Sequence, residues 1–161
     1  MASPDGHRAE AGTPTHGSTV APASEGPAAS APPQLPPLPS RPSPTKPLAV
    51  GVRELNLSRG PDRPLPTTVW YPAGGAAGDG TRSGATPAIG RFPLVILSHG
   101  LTGLPQALAP IGIRWAAAGF IVAAPAYPHT KHDAPHFDIS DVVNQPADAS
   151  YVINEVLALD G

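Results

Sequence analysis

At 161 residues with a formal net charge of −2, the chain carries no basic stripe, so nucleic acid or an anionic membrane surface finds no electrostatic complement in it. It has no Cys, which excludes disulfides, thiol catalysis and thiolate metal sites and leaves the redox compartment open. No apolar run approaches the roughly 18–20 residues that cross a bilayer. The opening MASPDGHRAE lacks the apolar stretch of a secretory signal, which leaves a cytoplasmic location as the default.

Of 24 Pro residues, 12 lie within positions 1–47, interleaved with Ala, Ser, Gly and Thr. Such a stretch has few backbone donors and largely fixed φ angles, so 1–47 reads as a disordered or polyproline-like arm. PxxP spacing such as Pro33 to Pro36 suits SH3-like grooves, although Pro-rich arms also serve as plain spacers. Residues 48–161 remain to build one core, a short length for a large open-sheet enzyme.

Residues 48–57 (LAVGVRELNL) alternate apolar and polar, with Leu48, Val50 and Val52 on one parity and Leu55 and Leu57 on the other. A first strand follows, with either a bulge near Arg53–Glu54 or both sheet faces partly covered. SRGPDR at 58–63 is a turn. LPTTVWY at 65–71 is β-branched and aromatic, a second strand stopped by Pro72 and paired antiparallel with the first. Residues 73–91 hold six Gly and no periodicity, and read as a flexible surface loop without chemistry.

FPLVIL at 92–97 has no polar alternation, as suits a central parallel strand buried on both faces. Leu104, Leu108, Ile111, Trp115 and Ala118 fall at helical steps and predict one core face, in two helical pieces with Pro110 in the first turn of the second. Gly119 ends that helix in the left-handed region. FIVAA at 120–124 is another buried strand. Residues 125–145 read as a loop, and 146–159 as a helix with Ala149, Val152, Ile153, Val156 and Leu159 on one face. An opening hairpin followed by β-α-β-α predicts an α/β fold whose mixed sheet becomes parallel.

The segment with chemical content is RFPLVILSHGLTG at 91–103, a buried strand running into a turn. Gly100 and Gly103 permit a tight path there, with positive φ where needed. Backbone N–H groups held together at the carboxyl end of a sheet can stabilise a developing oxyanion.

This strand with His-Gly-Leu-Thr-Gly, followed by RWAAAGFIVAAPAYPHT, resembles the α/β-hydrolase superfamily. The branches it resembles are the dienelactone-hydrolase, platelet-activating-factor-acetylhydrolase and cutinase-like groups. VWYP at 69–72 and NQPAD at 144–148 agree with that branch, and the resemblance covers 48–161. It implies the N-terminal part of an α/β-hydrolase sheet and an esterase- or lipase-like serine hydrolase. The substrate would be a small-molecule, lipid or polyester ester, with no metal and no organic cofactor. Carried onto this chain, Leu101 donates one oxyanion N–H, His99 and Gly100 support the loop, and Thr102 is a lining residue or a second donor. Tyr127, near the end of the 120–124 strand, either lines the acyl pocket or packs.

The family's nucleophile elbow, G-x-S-x-G, is missing: none of the 11 Ser residues has Gly two places before it. Ser98 comes nearest, with Ile96 in place of the Gly, and reads as a buried structural residue. The expectation is a chain cut ahead of its nucleophile, acid and base, inactive alone, with 94–97 left as an apolar edge. The alternative is a non-catalytic, hydrolase-like scaffold that uses the Pro-rich arm for partners.

Other polar residues carry blander readings beside sharper ones. His99 could be a base, but its place in the His-Gly pair favours bracing the turn. His129, His132, Asp133 and His136 suit zinc by residue type, yet they sit in a Pro-containing loop without helical ligand spacing. A solvated loop near the substrate entrance is favoured. Asp138 and Asp141 resemble a carboxylate pair, but more simply begin a helix or solvate the loop. Trp115 is assigned to core packing.

Overall fold

A computed structural model describes residues 44–78 and 80–159. The arm expected over 1–47 lies outside the described residues except for its last four positions. The hairpin forms as expected, from β1 (Ala49–Ser58) and β2 (Pro64–Ala73), paired antiparallel without interruption from Ala49–Ala73 to Ser58–Pro64. The phase change in β1 is therefore not a bulge. Its first three residues are buried on both faces, and alternation begins beyond them.

Pro72 does not end β2. Its carbonyl accepts the Ala88 N–H at 2.9 Å, so the ring nitrogen faces away from β1. Pairing of β2 with its other neighbour stops at Trp70, and no N–H is required at Pro72. The Gly-rich stretch is more ordered than its composition suggests. It contains β3 (Thr81–Ser83), parallel to β1, and an isolated bridge from Ala73 to Pro87. The Tyr71 hydroxyl donates to the Ala85 carbonyl at 2.7 Å, and the Arg82 guanidinium donates to the Gly74 carbonyl at 2.9 Å. These bonds fold the stretch back against the hairpin.

β4 (Leu94–Ile96) leads through a 3-10 turn (Pro105–Leu108) into α1 (Ala109–Ala117), and then to β5 (Ile121–Pro125), parallel to β4. A second 3-10 helix (Ile139–Asn144) precedes α2 (Gln145–Leu157). The sheet order is β3-β1-β2-β5-β4. Among the described residues β4 thus has a partner on one side only, and its residues are half-buried rather than enclosed as 92–97 was expected to be.

α1 covers one face through Ala116 and the partly buried Ile113 and Ala117, against Val50, Trp70, Val122 and Ala124. α2 covers the other through Val152 and Val156, against Leu65, Val69, Tyr71, Ala123 and Tyr127. The inward face of α1 is not the one expected. Gly112 and Ala116 face the sheet, while Ile111 and Trp115 are exposed. A Cβ at Gly112 would overlap the Trp70 ring, so the helix packs this close only through small residues. Gly119, at φ 95°, ends α1 as expected.

Candidate active site

β4 and β5 are parallel and end side by side, and the antiparallel register of β2 puts its start at the same end of the sheet, with Thr67 opposite Pro125. Ser98, His99, Tyr127 and Arg63 therefore belong to one end of the molecule. The Leu97 N–H still bonds to the Ala123 carbonyl at 2.9 Å, and the chain turns immediately afterwards.

His99 is buried. Its Nε2 accepts the Tyr127 backbone N–H at 3.1 Å, which makes Nε2 the nitrogen without hydrogen. Nδ1, 2.8 Å from the Gly100 carbonyl oxygen, then carries the hydrogen and donates. Both ring nitrogens are engaged with backbone, leaving no free lone pair for base chemistry. The ring also lies 5.3 Å from that of Tyr127, tilted by 57°.

The Gly103 N–H closes the turn onto the Gly100 carbonyl at 2.9 Å. The positive φ of this turn falls on neither glycine but on Thr102, at 56°. For a β-branched residue this is a strained conformation. The Thr102 hydroxyl donates to the Leu101 carbonyl at 2.7 Å, and its N–H donates to the Thr130 carbonyl at 2.8 Å. Thr102 thus has no backbone N–H left for an oxyanion, which removes it as a main-chain donor. The backbone N–H groups of Gly100 and Leu101 have no acceptor among the described residues. Leu101 is half exposed.

Ser98 is exposed rather than buried, and its Oγ lies 2.8 Å from the Tyr127 hydroxyl. Tyr127 is 1% exposed within the α2-side core, so its ring packs rather than faces solvent. Burial pushes its hydroxyl above the ordinary tyrosine value, with the Ser98 hydrogen bond opposing the shift.

The His loop does not converge. His129 Nδ1 contacts the His136 carbonyl at 3.1 Å, and Asp133 pairs with Lys131 at 2.9 Å. Among the described residues no group of three or more His, Cys, Asp or Glu is arranged to hold a metal. Asp138 caps the second 3-10 helix by accepting the Ser140 N–H at 2.8 Å, and its Ser140 contacts lower its pKa.

Asp141 has a role that the sequence reading missed. It is buried beside Arg63, whose Nη1 and Nη2 each donate to it at 2.9 Å. The same guanidinium donates through Nε and Nη2 to Asp148, which has no exposed surface. Arg59 Nε adds a bond to Asp148 at 2.8 Å, and Asn144 Nδ2 one to Asp141 at 2.8 Å. The Arg63 bonds hold the Asp141 carboxyl below the ordinary range, and the two carboxylates raise the pKa of Arg63. One signal in the sequence could have revealed this: Asp148 stands in line with Val152 and Val156 at four-residue steps, an acid on an apolar face. A buried acid there needs a cation, and Arg59 and Arg63 sit in the hairpin turn opposite.

Comparison with known proteins agrees with this architecture. Residues 76–149, which include the turn, match the family model of platelet-activating factor acetylhydrolase, isoform II. A ferulic acid esterase from Streptomyces cinnamoneus superposes with a TM-score of 0.54 at 23% identity, over 76% of this chain and 49% of that one. The chain therefore spans about half the length of that solved esterase, and the likeness concerns the fold. No curated protein matches the chain. Among the described residues no helix is long and apolar enough to cross a membrane.

Proposed function

We propose that this chain, which matches the platelet-activating factor acetylhydrolase, isoform II, family model over residues 76–149 and shares its fold with a solved esterase, supplies the oxyanion-binding half of a carboxylic ester hydrolase. The reading rests on one observation: a Leu101 N–H without an acceptor among the described residues, in a turn braced by Thr102 shortly after β4. A serine from chain outside these 161 residues attacks the ester carbonyl, and the tetrahedral oxyanion takes one hydrogen bond from Leu101 and one from the residue after that serine. Collapse of that intermediate breaks the ester C–O bond and expels the alcohol, leaving an acyl-serine that water hydrolyses to the acid and the free serine.

The side of β4 that has no partner among the described residues is where the strand bearing the nucleophile would pair, which sets its turn beside Leu101. His99 and Gly100 support the turn and do not touch substrate. Leu101 and Phe137 on loops, and Ile139 and Val143 on the second 3-10 helix, leave apolar side chains exposed, which suits an acyl or aromatic ester of modest size. The esterase activity in the name of the structural neighbour agrees with that substrate class.

The test is a fluorophosphonate applied to residues 1–161 and to the full-length gene product. The full-length protein should label at one serine and lose ester turnover, while 1–161 should not label. Labelling of 1–161 would put the nucleophile inside it. A full-length protein that neither labels nor turns over esters would refute the hydrolase reading in favour of a non-catalytic relative.

A further inference from the structure

Thr102 is a β-branched residue held at φ 56° next to the N–H that the proposed reaction uses. Such a conformation is strained and persists only where the surroundings over-determine it. Among the described residues, the hydrogen bonds that reach the turn from elsewhere in the chain come from residues 127–132. Besides the 2.8 Å contact between the Ser98 and Tyr127 hydroxyls, three bonds from backbone N–H groups join this segment to the turn: the Tyr127 N–H to His99 Nε2 at 3.1 Å, the Thr102 N–H to the Thr130 carbonyl at 2.8 Å, and the His132 N–H to the Gly103 carbonyl at 3.2 Å. The Tyr127 bonds seat the start of the turn, and those of Thr130 and His132 clamp its end.

That segment lies in an irregular loop and needs an anchor of its own. Thr130, 1% exposed, receives the Gln145 side-chain amide on its Oγ1 at 2.9 Å. Gln145 is the first residue of α2 and directly follows the 3-10 helix that carries Asp141. The Arg63 guanidinium fixes both Asp141 and Asp148, and so fixes the start of α2 against the hairpin.

We infer that Gln145 and Thr130 are positioning residues: together they hold the Leu101–Thr102 turn in the conformation that presents the Leu101 N–H. This deepens the ester-hydrolase reading and rests on it for its catalytic consequence. Neither side chain touches substrate. Their effect passes through the Thr130 carbonyl and the strained Thr102.

The experiment uses the full-length protein with Q145A, T130V and T130S, and reads steady-state ester hydrolysis together with amide hydrogen exchange at Thr102. Q145A and T130V should lower kcat by about tenfold to a hundredfold with KM within about twofold, because displacing a transition-state contact by about 1 Å has effects of that order. Thr102 exchange should quicken in both by about tenfold or more, as expected for a loop released to local opening. T130S, which keeps the acceptor oxygen, should recover most of the loss. Should T130V fail to fold, Q145A, whose side chain is only partly buried, carries the test. Unchanged kcat and unchanged Thr102 exchange in folded Q145A would overturn the inference. A wild-type protein without ester turnover would refute the hydrolase reading alone. The Thr102 exchange rate then decides the bracing role, faster exchange in Q145A supporting it and an unchanged rate overturning it.

Discussion

Replacing Arg63 by Ala should be the most damaging single change at the carboxyl end of the sheet. The guanidinium grips Asp141 with two bonds of 2.9 Å and Asp148 with two more, and the two carboxylates are 5% and 0% exposed. Removing one partner of a buried ion pair costs about 3–5 kcal/mol, because a charge is left without compensation. Here Arg59 stays on Asp148 and Asn144 on Asp141, so the lower end, about 3 kcal/mol, is expected. Against a total stability of about 5–15 kcal/mol this is a large fraction. With a urea slope of about 1–3 kcal/mol/M, the midpoint should fall by about 1–3 M. Unfolding can be followed by fluorescence of the buried Trp70, with the exposed Trp115 as background. R63K keeps the charge without the fork and should fall between R63A and wild type. An R63A variant within about 0.5 kcal/mol of wild type, the range of ordinary surface substitutions, would show that the cluster does not hold the fold.

The same cluster predicts acid sensitivity. Asp141 has a folded pKa below its unfolded value, so its contribution is complete above about pH 4 and is lost as pH falls through the folded value. Urea midpoints measured between about pH 6 and pH 2 should drop, and D141N should flatten that limb while lowering stability near neutrality. G112A should destabilise by about 1–3 kcal/mol through overlap with Trp70, read as a lower Tm in calorimetry. Y127F and S98A should each cost about 1 kcal/mol by urea titration, and the double variant no more than either alone, since both lose the same 2.8 Å bond.

The fold was legible where periodicity and punctuation agree. The hairpin, the break at Pro110, the left-handed Gly119 and the α2 face with Val152 and Val156 all follow from local pattern. β3 was not legible, because three exposed residues between glycines carry no alternation; side-chain bonds from Tyr71 and Arg82 order that stretch instead. Trp115 misled for a related reason. Hydrophobic spacing marks the larger residues, whereas close approach to Trp70 selects Gly112 and Ala116.

At the site, the His-Gly-Leu-Thr-Gly turn was visible as a unit, but the distribution of its hydrogen bonds was not. Thr102 loses its N–H to Thr130, a residue 28 positions away that no local pattern connects to it. The Arg63 cluster joins side chains 78 and 85 positions apart, and only the acid on the apolar face of α2 hints at it.

Whether Leu101 binds the oxyanion is tested most directly by a crystal structure of the full-length protein after reaction with a fluorophosphonate. The phosphonyl oxygen should lie about 2.7–3.1 Å from the Leu101 nitrogen, the distance at which a donor stabilises the developing charge. A phosphonyl oxygen held by other donors, with the Leu101 N–H bonded elsewhere, would contradict it.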